Sequence, residues 1–310
     1  MNEIEVLISS TLRLACPLIF ASLGGFYSEK SGVVNIALEG KMLIGAFVAA
    51  SVCFTTKNPY LGLMAAMIAG AMVGYFHAFC CVSLRADQIV VGTAVNLLIM
   101  GLIPLFCKSL YGTVGSTPSI ALSDKFYPIH LPFLSEIPIL KVFFSQVPLF
   151  YLAIICVGIS YYVFHHTRFG LHIKAVGDHP QAAYSLGVNV VRVRFLAVIL
   201  AGTIASIGGA YLSIAHGSGY ARNMTSGRGF ISLAALIFGK WRPVQACLAC
   251  LLFGFADALQ IRAQGSQIFG VEIPVQFIQM MPYLLTIIIL AGFIGRSNPP
   301  LYIGIPWKKN

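Results

Sequence analysis

Eight long apolar runs constrain what this chain can fold into. Each has about the 20 residues that an α-helix needs to cross the hydrocarbon core of a bilayer. The sequence is 58% hydrophobic and 10% charged, with a mean hydropathy of +0.85, whereas soluble domains carry about 25% charged residues. We therefore predict an all-α transmembrane helix bundle that forms a single domain, residues 1–310. Its spans are predicted near residues 6–26, 33–55, 60–82, 89–107, 148–165, 195–215, 243–260 and 277–294.

A ninth apolar run, Phe230–Gly239, is too short to span and predicts a half-helix or re-entrant segment. Two longer connections, 108–147 and 167–194, are predicted to lie outside the membrane on opposite sides. If the ninth run counts as a crossing, eleven Lys and Arg residues share the side of loop 167–194 and eight lie opposite. This bias favours a cytoplasmic 167–194 loop, a cytoplasmic C-terminus and an extracytoplasmic 108–147 loop. If the run is re-entrant, the last two spans invert.

The net charge of +10 does not indicate nucleic acid, because the basic residues are spread singly or in small groups between apolar runs. That spread is typical of loops beside membrane lipid. The eight cysteines lie almost entirely within apolar runs, where a free thiol packs as a small hydrophobe. Cys247 and Cys250 have a metal-like spacing without a second pair nearby, so no metal site is predicted. The acidic N-terminus lacks the basic region of a secretory signal, and the first run is expected to be retained.

No phosphate-binding loop for ATP is found in the sequence. Gly40 and Lys41 imitate the end of such a loop, but Asn35 stands where its first glycine would be. Met42 also replaces the Ser or Thr that would hold magnesium. We predict that this chain contains no catalytic residues and binds no cofactor, and that any ATP and Mg²⁺ bind to a separate ATPase.

The stretch EKSGVVNIALEGKM places Glu39 and Lys41 inside an apolar run. A charge at the centre of a spanning helix costs about 2.5–3.5 kcal/mol on insertion scales, so such residues usually face protein or water. Asn35 and Glu39 are four residues apart and would share one helix face that lines a polar interior. Lys41 would need a partner on another helix. Alternatively, the cluster ends a helix and reaches the headgroups.

Two further polar residues lie inside predicted spans. Asn96 and Asp257 could line the same interior, or each could be a structural hydrogen-bond partner. His77 is interpreted as a packing residue.

The connection TRFGLHIKAVGDHPQAAYSLGVNVVRVR differs from the other loops. Residues 178–186 predict a short helix, with Asp178 as its cap, Pro180 in its first turn and Gly187 at its end. Basic flanks, which include Arg192 and Arg194, would hold it against the membrane. The segment is either a docking element for a soluble partner or a surface linker.

Three stretches resemble the membrane permeases of bacterial binding-protein-dependent ATP-cassette importers for nucleosides, simple sugars and branched-chain amino acids. They are PLIFASLGGFYSEKSGVVNIALEGKMLIGAF, RFGLHIKAVGDHPQAAYSLGVNVVRVRFLAVILAGTIASIGGAYLSI and GRGFISLAALIFGKWRPVQACLACLLFGFADALQ. The run SEKSGVVNIALEG and the compact length are most similar to the shorter of two permeases that pair in nucleoside importers. The sequence departs from the family at Lys41, where an apolar residue is expected.

The resemblance implies a second homologous permease, cytoplasmic ATPase subunits, an external solute-binding lipoprotein, and a location in the bacterial cytoplasmic (inner) membrane. It also implies that part of loop 167–194 is the coupling element seated in the ATPase: Ala175, Gly177, Asp178, Ala182, Ala183 and Gly187. We assign five residues to a candidate translocation path. They are Glu29 and the four polar residues discussed above, Asn35, Glu39, Asn96 and Asp257.

Our hypothesis is therefore a permease subunit that works by alternating access and carries nucleosides. The same type of importer could instead carry simple sugars or branched-chain amino acids. The main alternative is a secondary transporter in which Glu39 and Asp257 relay ions; such proteins often have two inverted repeats with matching broken helices, and no matching pair is seen here. A membrane-embedded enzyme would need a nucleophile with its base or a metal set, and none stands out.

Overall fold

The computed structural model describes residues 3–128, 138–264 and 299–308, with short pieces at 267–268, 271–272, 276, 280 and 284. Eleven α-helices lie in these parts. They are α1 Glu3–Lys30, α2 Leu38–Thr56, α3 Pro59–Ala78, α4 Gln88–Tyr111, α5 Pro138–Phe144, α6 Pro148–His166, α7 Arg168–Asp178, α8 Pro180–Ser185, α9 Val190–Ala210, α10 Arg228–Phe238 and α11 Pro243–Ala263.

Shorter elements complete the described chain. π-helical turns extend α3 through Phe79–Ser83 and α9 through Tyr211–His216, and a 3₁₀ turn covers Leu122–Asp124. A two-residue antiparallel pair, β1 Gln267–Ile268 and β2 Val271–Glu272, is a small departure from the all-α prediction.

Seven of the described helices are long and apolar enough to cross a membrane. They overlap the first seven predicted spans, so the transmembrane helix bundle is confirmed. The predicted span 277–294 lies mainly outside the described residues. The second helix begins at Leu38 rather than near residue 33, because residues 31–37 are not α-helical.

The first helix is the centre of the bundle. It has 28 residues, about 42 Å of helix, and every residue from Leu14 to Glu29 is buried. Helices α9, α10, α11 and α6 pack against it. A movement of α1 would therefore change its packing against all four of these helices.

Helices α3 and α9 pack closely through small residues. A Cβ atom at Gly70 would overlap the carbonyl oxygen of Gly202, and one at Gly74 would lie 2.8 Å from the carbonyl oxygen of Val198. Within lipid, such contact between backbones replaces the hydrophobic effect as a source of helix association. The small-residue spacing in both helices therefore has a packing role.

The bundle has two ends, which we call the loop end and the opposite end. The loop end holds α7 and α8 together with Lys30, whose carbonyl oxygen lies against Gly177. The opposite end holds Glu3, which pairs with Arg262 at the end of α11.

The predicted half-helix is confirmed as α10. Its 11 residues give about 16 Å of helix, roughly half the hydrocarbon core. Residues 217–227, which precede α10, are not α-helical. They begin at the opposite end of the bundle, where the backbone N–H of Tyr220 donates to the hydroxyl of Thr117. After α10, Trp241 reaches Glu29 at the loop end. The segment 217–239 thus crosses the bundle, which supports counting it as a crossing.

The C-terminal segment 299–308 lies at the loop end. The backbone N–H of Tyr302 donates to the carbonyl of Gly177, and that of Gly304 donates to the carbonyl of Gly32. The C-terminal segment and loop 168–185 are therefore on one side of the membrane, as the first of the two predicted topologies required.

Candidate functional site

Four helices, α3, α4, α7 and α9, are each capped by a side chain directly before their first residue. Thr167, Asn58, Asp87 and Asn189 each accept a backbone N–H from the first turn that follows. Such capping satisfies N–H groups that have no partner within the helix.

Helix α2 begins inside the bundle and lacks such a cap, since Ala37 occupies the position. Asn96 of α4 supplies the missing cap. Its Oδ1 accepts the N–H of Gly40 at 2.8 Å, and its Nδ2 donates to the carbonyl of Ile36 at 3.0 Å. Asn96 therefore caps α2 from a neighbouring helix.

Helix α10 also begins inside the bundle, and Gly227 at its start provides no side-chain cap. Glu39 of α2 provides it instead. Its Oε1 accepts the Thr225 hydroxyl at 2.5 Å and the Gly227 N–H at 2.9 Å, and its Oε2 accepts the Gly229 N–H at 2.7 Å. The Glu39 residue is 4% exposed. A carboxylate at a helix N-terminus also interacts favourably with the helix dipole.

Glu29 holds the other end of α10. Its Oε2 accepts the indole N–H of Trp241 at 2.6 Å. Glu29 is 3% exposed. Two buried carboxylates from the 29–39 stretch thus fix the start of α10 and the residues just after its end.

Lys41 lies in a separate polar contact. Its Nζ donates to Asn35 Oδ1 at 2.8 Å and lies 3.0 Å from His77 Nδ1. The predicted partner on another helix is thus His77 of α3. Lys41 is therefore a buried amine whose contacts among the described residues are an amide oxygen and an imidazole nitrogen.

The structure brings four of the five candidate path residues together around residues 29–40: Glu29, Asn35, Glu39 and Asn96. The expectation that Asn35 and Glu39 share a helix face is wrong, because Asn35 precedes α2. Neither Glu39 nor Lys41 reaches the headgroups, as the alternative required, since both are buried. Asp257 is half-buried on α11, within electrostatic reach of Arg228. A role of these residues in translocation stays a prediction.

The loop after α6 contains two helices where one was predicted. Thr167 caps α7 through the N–H of Gly170, and α7 runs to Asp178. The prediction that Asp178 caps a helix over 178–186 is therefore wrong. The second helix begins after His179, which provides no side-chain cap. Pro180 is in its first turn as predicted.

The six predicted coupling residues differ in exposure. Ala182 and Gly187 are exposed, Ala175 and Asp178 are half-buried, and Gly177 and Ala183 are buried. The φ of +85° at Gly187 suits glycine. Gly177 touches α1 so closely that a Cβ would overlap the carbonyl oxygen of Lys30. The exposed positions are available to a partner, and the buried ones attach the loop to the bundle.

Arg194 is buried, although the sequence predicted it on the surface as part of a basic flank. It is 2% exposed; its Nε donates to the carbonyl of Ser31 at 3.1 Å and its Nη1 to that of Ile305 at 3.0 Å. Arg194 therefore joins α9, the 31–37 linker and the C-terminal segment.

Sequence reasoning missed Trp241, Thr225, Arg194 and the C-terminal segment as parts of this network. Only Arg194 carried a signal, because it lies one helical turn inside an apolar helix. Among the described residues, no group of three or more His, Cys, Asp or Glu could hold a metal ion.

Comparisons with known proteins agree with this architecture. The family model of the branched-chain amino acid transport system / permease component matches residues 7–290. The guanosine ABC transporter permease protein NupQ of Bacillus subtilis is 41% identical, over 99% of this chain and 97% of that protein. The nucleoside ABC transporter permease protein NupC of Lactococcus lactis is 40% identical, over 100% and 99%.

A third relative, the nucleoside ABC transporter permease protein NupB of the same L. lactis strain, is 25% identical over 93% of this chain and 80% of that protein. The buried polar network, the half-helix and the seven described spans thus belong to a chain that matches two named permeases over nearly its whole length. This protein is a multi-pass membrane protein of the branched-chain amino acid transport system / permease component family.

Proposed function

We propose that this chain is the transmembrane permease subunit of an ATP-driven importer for nucleosides that an external binding protein delivers. One observation carries the proposal: identity of 41% and 40% with permeases named for guanosine and nucleosides, over nearly the full length of both chains. Identity of this extent, without large gaps in coverage, favours a shared cargo class over a shared fold alone.

The proposed mechanism is alternating access driven by ATPase subunits that dock on loop 168–187. Gly177 of this loop lies against the carbonyl oxygen of Lys30. The adjacent Glu29 holds Trp241, and Trp241 follows α10. A displacement of the loop would pass through the end of α1 to α10 by direct contacts.

The proposed partners are a second homologous permease, two cytoplasmic ATPase subunits that bind ATP and Mg²⁺, and an external solute-binding lipoprotein. That L. lactis has two nucleoside permeases, NupC and NupB, both similar to this chain, supports a heterodimer. The proposed location is the bacterial cytoplasmic (inner) membrane, with loop 168–187 on the cytoplasmic side.

The test is uptake by proteoliposomes that contain the whole importer. With ATP inside, we expect labelled guanosine or another nucleoside to accumulate, and no accumulation with ADP. Uptake of a simple sugar or leucine in place of nucleosides would overturn the cargo. Uptake without ATP but with a proton gradient would overturn the ATP-driven mechanism in favour of a secondary transporter.

A further inference from the structure

A cavity of about 590 Å³ lies at the loop end of the bundle. Helices α1, α6 and α7 and the start of α11 form its walls. Three cationic side chains and a histidine line it together with aromatic rings: Lys30, Lys174, Arg242, His165, Tyr161 and Trp241. The cavity meets the buried polar network at Trp241, but its lining includes neither Glu39 nor the exposed positions Ala182 and Gly187.

The cations of this cavity converge from three different elements. Lys30 ends α1, Lys174 lies in α7 and Arg242 precedes α11, and Lys30 is within electrostatic reach of the other two. Their mutual repulsion favours an anion between them.

None of the described residues that line the cavity is acidic. Asp178 is within electrostatic reach of Lys30 but lies outside the lining. Glu29 is bonded to Trp241. The ammonium group of Lys174 has three N–H donors. One of them donates to the carbonyl of Phe164, at 2.7 Å. The described lining of the cavity therefore combines positive charge and hydrogen-bond donors with no acidic side chain.

The surroundings of the cavity are those of a membrane interface. Tyr161 is 47% exposed and Val244 is 45% exposed. Both lie at the loop ends of spanning helices whose outer residues are apolar, such as Ile155 and Leu248. The Tyr161 ring stacks on His165 with centroids 4.3 Å apart. Aromatic rings and basic side chains together are typical of the level of the lipid headgroups.

From this geometry we propose that the cavity binds the phosphate headgroup of an anionic phospholipid. The acyl chains lie along the apolar outer faces of α6 and α11. A lipid fits better than a carboxylate of a docked protein, because exposed apolar side chains border the cavity on the side of the spanning helices. The bound lipid would link Lys174 of loop 168–187 to Lys30 and Arg242 of the bundle.

The test is lipid binding by the purified full-length chain, measured by native mass spectrometry and by thermal shift. The probes are phosphatidylglycerol and phosphatidylcholine. We expect preference for phosphatidylglycerol, reduced about fivefold per cation removed and about a hundredfold in the triple variant Lys30→Gln/Lys174→Gln/Arg242→Gln. The matched control, Lys57→Gln/Lys108→Gln/Lys125→Gln, removes three positive charges near the opposite end and should keep the preference.

Several outcomes would overturn the proposal. Equal phosphatidylglycerol binding by the triple variant and the control would place the lipid elsewhere. Displacement of the lipid by millimolar inorganic phosphate would indicate a site for free anions. Loss of ATPase association in the triple variant, with lipid binding unchanged, would indicate a protein-docking site. If the triple variant fails to fold, the single variant Arg242→Gln decides, because Arg242 is exposed: binding equal to that of the unchanged chain would overturn the proposal.

Discussion

The carboxylate of Glu39 on α2 accepts the backbone N–H of Gly229 in the first turn of α10, at 2.7 Å. The two residues are 190 positions apart in sequence. This bond, with those from Gly227 and Thr225, lets a helix begin inside the membrane, where water cannot satisfy its N–H groups. The position of the half-helix thus depends on a side chain from another span.

Replacing Glu39 by Ala should destabilise the protein and abolish uptake. The change leaves the donors of Thr225, Gly227 and Gly229 unsatisfied, and each buried unsatisfied donor costs about 1–3 kcal/mol. Glu39→Gln keeps an acceptor oxygen but turns an NH₂ group toward these donors, so we expect an intermediate loss. The measurements are the midpoint of thermal unfolding in detergent and nucleoside uptake.

Asp257→Asn is the control for Glu39, because Asp257 is half-buried; little change in the unfolding midpoint is expected. A Glu39→Gln variant that unfolds at the normal temperature yet transports nothing would contradict the capping role. That result would favour proton relay by Glu39.

Gly70→Ala should separate α3 from α9 and lower stability, because a Cβ at this position would overlap the carbonyl oxygen of Gly202. We expect a loss of about 1–3 kcal/mol from overpacking. Gly158→Ala in α6 is the matched control, since nothing lies within 4 Å of the added Cβ, and it should be neutral or slightly stabilising. Equal unfolding midpoints for both variants would refute the close packing.

Ala182→Trp and Ala183→Trp should differ although the two positions are adjacent. Ala182 is exposed, whereas Ala183 is 3% exposed and packs in the hydrophobic cluster with Ile173 and Val176. We expect Ala183→Trp to lower the unfolding midpoint of the permease alone. Ala182→Trp should keep that midpoint but impair ATPase association and ATP-driven uptake. Normal association of Ala182→Trp would argue against the coupling role.

Arg194→Lys should loosen the C-terminal segment. One ammonium group cannot reproduce the two directed bonds of the guanidinium to Ser31 and Ile305. We expect faster hydrogen exchange at residues 301–305 and a lower unfolding midpoint. The control is Arg192→Lys, an exposed position two residues away, where exchange should not change. Unchanged exchange in Arg194→Lys would show that the other contacts of the segment, such as its backbone bonds to Gly177 and Gly32, hold it without the guanidinium.

Much of the fold could be predicted because spanning helices are local features of sequence. Apolar runs of about 20 residues predicted the seven described spans, and the short run at 230–239 predicted α10 to within two residues. The prediction was less accurate where a non-helical segment is polar and buried. Residues 31–37 look like the start of a span, yet their backbone groups bond to Gln88, Arg194 and Gly304.

The sequence by itself determined that the chain is a membrane-spanning helical bundle, and that polar residues at 29–41 and a basic-flanked loop are its unusual parts. These follow from composition and spacing within one segment. Only the tertiary structure decided what the polar residues do: Asn96 caps α2, Glu39 caps α10, Glu29 holds Trp241, and Arg194 holds the C-terminal segment. The physical reason is that a buried polar group in a membrane protein must find a partner, and that partner lies on another span, at a sequence distance no local pattern encodes.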